Sequence, residues 1–244
     1  MANASITIDD IWSNFRNQAG LANIENTSGG FLYENRFGLY QVSTKALAIA
    51  VPVNSGCFGL NYSYFGYSEY NESKAGIGFG KKLAEFLNIG IQLNYMHTYI
   101  AENYGNRGNV TFETGLLATP IPGFTLGFHV FNPLHALISK SINEHIPTII
   151  RAGIGYEFNE ETMLTVETKK DIDQKPVFKF GGEHLLFDFL YIRTGVMTNP
   201  VKYSFGFGME YKGFYGDIGF ISHPELGYSP HLSIYYRFGS NEQE

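Results

Sequence analysis

The stretch His231-Leu-Ser-Ile-Tyr-Tyr-Arg-Phe238 alternates apolar and polar side chains at every second position. Its apolar face holds Leu232, Ile234, Tyr236 and Phe238. Ser233, Tyr235 and Arg237 lie on the opposite face. A period of two is that of a β-strand with one apolar side and one polar side. Such a strand fits a membrane barrel or a soluble sandwich, so the rest of the chain has to decide between them.

The composition favours the membrane barrel. Of the 244 residues, 16% are charged and 16% are aromatic, whereas a typical soluble domain has about 25% charged residues. No run of about 18 apolar residues is present, which excludes a membrane helix but not a barrel of alternating strands. The net charge of −6 argues against a nucleic-acid partner. The single cysteine, Cys57, excludes an internal disulfide framework and a cysteine-rich metal site.

Segments with the composition and alternation of strands follow Gly29, and they number fourteen. They are Phe31–Phe37, Thr44–Val53, Cys57–Tyr67, Lys74–Leu83, Leu87–Ile100, Val110–Thr119, Phe124–Phe131, Thr148–Phe158, Met163–Lys170, Val177–Leu186, Tyr191–Thr198, Lys202–Tyr211, Tyr215–Ile221 and His231–Phe238. An even number is typical of bacterial membrane barrels that are formed by one chain.

The connections between these segments give an independent indication. After the even-numbered strands they are short, as in Asn54–Gly56 and Lys212–Phe214. After most odd-numbered strands they are longer and more polar, as in Ser68–Ser73, Ala101–Asn109, Asn132–Pro147 and Ser222–Pro230. Short turns at one end and long loops at the other indicate an up-and-down membrane barrel rather than a Greek-key sandwich.

Strand parity also predicts which side chains face the lumen. A lysine or arginine on the lipid face near the midplane costs about 2–4 kcal/mol, so the polar face of each strand must be the lumen. Ten charged residues then point inward: Arg151, Glu157, Glu167, Lys169, Lys179, Glu183, Arg193, Glu210, Asp217 and Arg237. We expect pairs such as Glu183 with Arg193 and Lys179 with Glu167, which would brace the barrel. A polar conduction path is the alternative.

The N-terminal segment has a different pattern. Ile8, Ile11, Trp12 and Phe15 are spaced as on one face of a helix, which predicts a short helix over residues 8–19. Thr7 and Asp10 resemble a capping box, and Gly20 suits the position after the helix end. A helix this short needs an apolar surface to pack against. We therefore predict that it docks at the periplasmic mouth or in the lumen as a plug.

The segment Asn17-Gln18-Ala19-Gly20-Leu21-Ala22 resembles the Asn-Pro-Ala-Gly-Leu-Ala segment near the mature N-terminus of the FadL-like superfamily of long-chain fatty-acid transporters and of its PorV/PorQ relatives. Gln18 stands where the family has proline. The resemblance implies a fourteen-stranded barrel and two classes of function. One is a partner or scaffold in type IX secretion and surface-protein assembly, and the alternative is uptake of small hydrophobic molecules.

The longest connection, Asn132–Pro147, is predicted to be the principal functional loop, since connections longer than about 12–15 residues are uncommon unless they are functional or disordered. Leu134, Leu137 and Ile138 are spaced to form part of a short helix that would contact a partner or ligand. Catalysis is not expected, because the neighbouring Ser222 and His223 face opposite sides of a strand. No metal-ligand spacing or cofactor motif stands out.

Together these features predict an all-β protein, a 14-stranded antiparallel transmembrane β-barrel with a short N-terminal helix or plug. The expected parts are the plug segment 1–28, the barrel 29–238 and a periplasmic tail 239–244. Residues 1–4 are not followed by an apolar segment, so we interpret the chain as a mature form without its export signal. We expect a non-enzymatic protein of the outer membrane of a Gram-negative bacterium. Its expected partners are outer-membrane lipid, a protein in an outer-membrane complex and a possible small hydrophobic ligand, but no nucleic acid.

Overall fold

The computed structural model describes residues 1–101, 105–134, 137–139 and 144–239, with the backbone alone at 137–139 and 144–145. One short α-helix, α1, spans Ser13–Arg16, and 3₁₀ turns span Gln18–Asn23, Arg36–Gly38 and Tyr40–Val42. The strands are β1 (Ser28–Asn35), β2 (Ser43–Val53), β3 (Gly56–Gly66), β4 (Tyr70–Ala84), β5 (Leu87–Ile100), β6 (Gly105–Ile121), β7 (Phe124–Phe131), β8 (Leu137–Ser139), β9 (Glu144–His145), β10 (Ile149–Glu157), β11 (Thr162–Asp171), β12 (Val177–Phe187), β13 (Leu190–Met197), β14 (Lys202–Tyr211), β15 (Phe214–His223) and β16 (Gly227–Arg237).

Strands β1–β7 and β10–β16 form a closed antiparallel barrel of fourteen strands, as the sequence predicts. The last strand closes the barrel by pairing with the first, so that Ser28 lies opposite Arg237 and Phe31 opposite Ile234. The barrel wall thus runs from Ser28 to Arg237. Of the expected tail 239–244, only Gly239 lies within the described residues.

The barrel has its apolar side chains outside and its polar side chains inside. On β5, the side chain of Leu93 is 55% exposed whereas its neighbour Asn94 is 1% exposed, and on β16 the same holds for Ile234 and Ser233. A water-soluble domain has the reverse distribution. An exposed apolar surface of this size needs lipid around it. The fold is therefore that of a transmembrane barrel.

The two ends of the barrel differ in their connections. At one end, five turns have two residues and one, at 158–161, has four. At the other end, the connections run from three residues, at 67–69, to the long loop at 132–148. We call these the turn end and the loop end.

Three of the expected long loops are shorter than predicted, because β4, β6 and β16 continue beyond the apolar belt. Tyr70 pairs with Ile100, Ile100 also pairs with Gly105, and Gly227 pairs with His223. These cross-strand hydrogen bonds extend the sheet through polar residues, which from sequence alone are expected in loops. Among the described residues, no helix has the length and apolar character needed to cross a membrane.

Candidate functional site

Residues 1–23, which we call the plug, lie inside the barrel. The predicted helix over residues 8–19 is wrong, since only Ser13–Arg16 is α-helical and Gln18–Asn23 is a 3₁₀ turn. The reason is that the barrel wall and the plug itself supply partners to the backbone. Glu167 Oε2 accepts from the amides of Ser5 (3.0 Å) and Ile6 (3.1 Å). Ser5 and Ile6 precede the predicted helix. Within it, the amide of Trp12 donates to Asp10 Oδ1 (2.7 Å) and that of Ala19 to Asn17 Oδ1 (3.2 Å) in place of helical carbonyls.

Trp12 and Phe15 take different positions in the lumen. Trp12 is buried in an apolar cluster with Ile11, Leu21 and Tyr235, and it packs over Gly30 of β1. Phe15 is partly buried at the edge of this cluster, with its ring centroid 6.4 Å from that of Trp12. The apolar residues of the plug thus pack against the inner wall rather than along one face of a helix.

Asn17 ties the plug to the barrel. Its Nδ2 donates to the carbonyl oxygens of Ile6 (3.1 Å) and of Leu116 on β6 (3.2 Å), and its Oδ1 accepts from the amide of Ala19 (3.2 Å). The first of these bonds joins two parts of the plug, and the second joins the plug to the wall. Asn17 also caps the 3₁₀ turn.

Gly20 has a role different from the expected helix stop. Its φ lies outside the left-handed region, and a Cβ atom there would come within 2.5 Å of Ser13 Oγ and 3.3 Å of Asp9 Cα. Gly20 is therefore required for the close approach of two plug segments, not for an unusual backbone conformation.

The first charged cluster, the Glu167 cluster, contains Arg151, Glu167 and Lys179. Arg151 donates to both oxygens of Glu167 (2.8 and 2.9 Å), and Lys179 donates to Oε1 (2.8 Å). The same two cations reach the plug, since Arg151 donates to the carbonyl of Arg16 (3.0 Å) and Lys179 to that of Asn3 (3.0 Å). This cluster joins three neighbouring strands to the plug at residues 3 and 16, and it includes the expected pair of Lys179 with Glu167.

The second, the Glu113 cluster, was missed by the sequence analysis. Glu113 on β6 is 2% exposed and accepts from Lys74 Nζ (2.9 Å), and its Oε2 lies 3.0 Å from His129 Nε2. Glu113 also accepts from the side-chain amides of Gln18, Gln92 and Asn94. The strand parity that located the charges of β10–β16 would have located Lys74 and Glu113 too, had it been applied to β4 and β6.

The third, the Arg193 cluster, lies toward the turn end. Arg193 on β13 donates to Glu183 on β12 and to Asp217 on β15, and Ser233 Oγ donates to Asp217 (2.9 Å). This cluster contains the expected pair of Glu183 with Arg193. Close by, Glu210 accepts from the hydroxyls of Tyr191 and Tyr215, and the guanidinium of Arg237 lies over the Tyr215 ring.

Two of the ten predicted charges stand apart. Glu157 is exposed at the turn end and makes no ion pair within the described part of the chain, because it lies in the last position of β10, outside the packed lumen. Lys169 lines the lumen opposite Arg151 without an ion pair among the described side chains. That the paired charges brace the barrel stays a prediction.

Where the structure describes the long loop, strand pairing takes the place of the expected helix. Leu137–Ser139 and Glu144–His145 pair as a two-stranded hairpin, and Leu134 before it is 76% exposed. Three apolar residues at helical spacing are too few to specify a helix when cross-strand pairing is available. The side chains of Leu137 and Ile138 lie outside the described part, so their contact with a partner or ligand stays a prediction.

A cavity of about 1100 Å³ occupies the part of the lumen that the plug leaves free. Toward the loop end its wall combines apolar and aromatic side chains with charged ones, among them Arg36, Glu72 and Lys74. We call this part the upper chamber, and its apolar and aromatic side chains are Phe15, Leu32, Phe65, Met96, Phe131 and Ile149. Lys74 Nζ lies 5.6 Å from the Phe15 ring centroid and 5.8 Å from that of Phe131. Toward the turn end the cavity is lined by the Arg193 cluster and its neighbours, and we call this part the lower chamber.

A plugged fourteen-stranded barrel with an apolar exterior and a lumen cavity defines a transmembrane barrel of the outer-membrane type. No protein-family model and no curated protein matches the chain. Among solved structures, the chain is similar to a Pseudomonas aeruginosa FadL homologue, with a TM-score of 0.67 and 14% identity over 98% of this chain and 96% of that one.

It is also similar to the Ralstonia pickettii toluene transporter TbuX, with a TM-score of 0.70 and 8% identity over 94% of each chain. A third similar structure is the Pseudomonas putida toluene transporter TodX, with a TM-score of 0.66 and 10% identity over 94% of each chain. At these identities the likeness is one of fold. It supports the FadL-like fold and leaves the PorV/PorQ assignment without support.

Proposed function

We propose that this protein is an outer-membrane channel of a Gram-negative bacterium that takes up small hydrophobic molecules, with the upper chamber as their binding site. The observation that carries the proposal is the chamber itself. Its apolar and aromatic side chains are of the kind that contact small hydrophobic ligands in binding sites. The chamber lies at the loop end, and Phe15 of the plug forms part of its wall.

The fold of the similar transporters supports this proposal over the secretion-partner hypothesis. Two of the three are toluene transporters, and the aromatic wall of the upper chamber suits ligands of that chemical class. A role in type IX secretion would require a surface with a protein partner, and no described contact favours one. An enzymatic role is likewise not part of the proposal.

The chain provides its own probe of binding. Trp12 is the single tryptophan, lines the cavity, and lies next to Phe15. We expect toluene, titrated into the purified barrel in detergent, to produce a saturable change in Trp12 fluorescence. Phe131→Ala should weaken the apparent affinity about twofold to tenfold, because an aromatic contact contributes about 0.5–1.5 kcal/mol.

Phe128→Ala is the matched control, since Phe128 lies on the same strand but faces lipid. It should leave the titration unchanged. A response that rises linearly without saturation, equal in the intact protein and both variants, would show partitioning into detergent rather than binding in the chamber.

A further inference from the structure

We propose that the barrel also conducts small hydrated ions along a passage beside the plug, and that Arg193 sets the charge selectivity of this passage. The proposal concerns polar solutes and the lower chamber, so it goes beyond the uptake of hydrophobic molecules. It is carried by the asymmetric position of the plug, the extent of the cavity and the placement of charge in it.

The plug packs against most of the barrel wall but leaves part of the lumen beside β14 and β15 free. On β3, β5 and β6, a Cβ atom at Gly59, Gly90 or Gly115 would collide with plug atoms of Asn14, Gln18 or Asn17. The lumen-facing glycines Gly206 of β14 and Gly219 of β15 differ from these, since a Cβ atom at either would meet only atoms of the neighbouring strand. The wall at these two glycines therefore faces open lumen. Nearby on β14, Ser204 Oγ accepts from the amide of the plug residue Ala2 (2.6 Å).

The cavity extends along this open side from one end of the barrel to the other. Its lining includes Arg36 and Glu72 at the loop end. It also includes Tyr191, Glu210 and Arg237, which lie within one residue of the turn-end limits of their strands. A volume of about 1100 Å³ holds about 35 water molecules at roughly 30 Å³ each.

The lower chamber has a biased charge. Glu183, Glu210 and Asp217 supply three carboxylates, and Arg193 and Arg237 supply two guanidinium groups. The side chains of Arg193, Glu183 and Asp217 are 27%, 18% and 21% exposed, so the cluster is in contact with the cavity rather than sealed in the wall. Rings of charged side chains of one sign set ion selectivity in channels. We therefore expect a modest preference for cations.

Arg193 controls this preference by its position. It bridges carboxylates on β12 and β15 by passing over Gly208 of β14, where a Cβ atom would lie 2.7 Å from its Nη1. Removal of its charge would leave Glu183 and Asp217 facing the passage without a cation between them. The passage would then repel anions more strongly.

The test is single-channel recording in a planar lipid bilayer under a KCl gradient. The intact barrel should carry a small, reproducible current with a K⁺/Cl⁻ permeability ratio above one. Arg193→Gln should raise that ratio roughly twofold or more, and Arg193→Lys, which keeps the charge, should leave it near that of the intact protein. The double variant Glu183→Gln with Asp217→Asn should shift the ratio toward chloride, and it provides the test if Arg193→Gln does not fold.

Two results would overturn the proposal: no current above that of the protein-free bilayer, or one permeability ratio shared by the intact protein, Arg193→Gln and the double variant. The toluene titration of Trp12 separates this proposal from the uptake function. Arg193→Gln should change ion selectivity and leave that titration unchanged. If the intact protein shows selective ion current but no saturable fluorescence change with toluene, only the uptake function is contradicted.

Discussion

Glu167 has no exposed side-chain surface and accepts hydrogen bonds from both the barrel wall and the plug. Its two cationic partners, Arg151 and Lys179, are 12% and 8% exposed. Since neither cation has much access to water, the Glu167 carboxylate is their principal compensation. At the scale of single residues, this is the position where the bracing hypothesis makes its clearest prediction.

Glu167→Gln should lower the free energy of unfolding by about 3–5 kcal/mol, because it leaves two poorly hydrated cations without a counter-charge. Urea denaturation of the barrel in detergent, followed by its heat-modifiable mobility on gels, measures the change. Glu160→Gln, in an exposed turn, is the control and should change stability by less than about 0.5 kcal/mol. Equal denaturation midpoints for both variants would show that the lumen pairs do not brace the barrel.

At the scale of elements, the plug is where sequence reasoning and structure differ most. The spacing of Ile8, Ile11, Trp12 and Phe15 correctly indicated apolar residues that must be covered, but it did not predict the backbone. That backbone depends on partners far along the chain, such as Glu167 and Leu116. A local pattern contains no information on them, so it suggested a regular helix in place of a wall-anchored turn.

Deletion of residues 1–15 should raise ion conductance in a planar bilayer sharply, because it removes the backbone that fills the lumen against β7 and β10–β13. The barrel should stay folded, since each strand keeps its neighbours and the β1–β16 closure lies outside the deletion. Heat-modifiable mobility checks the fold in the same sample. Conductance that is unchanged after the deletion would contradict a plugging role for this segment.

At the scale of the whole molecule, the fold could be predicted because membrane barrels impose simple periodic constraints. The alternation of apolar and polar residues, the strand count and the difference between turn end and loop end all follow from a closed wall between lipid and lumen. The same parity placed nine of the ten charged residues in or along the lumen, and it failed for Glu157, where the strand ends. The upper chamber could not be predicted, because the path of the plug decides that Phe15 lines the same cavity as Phe65 and Phe131.

The proposed function requires that the upper chamber is a route for small hydrophobic molecules. Uptake by intact cells tests this most directly. The barrel would be expressed in a Gram-negative host that lacks hydrocarbon channels, and the initial rate of radiolabelled toluene entry measured. The intact protein and Phe128→Ala should raise this rate to the same level above the empty host, and Phe131→Ala should raise it less. An entry rate equal to that of the empty host, with the barrel folded in the outer membrane, would contradict the account.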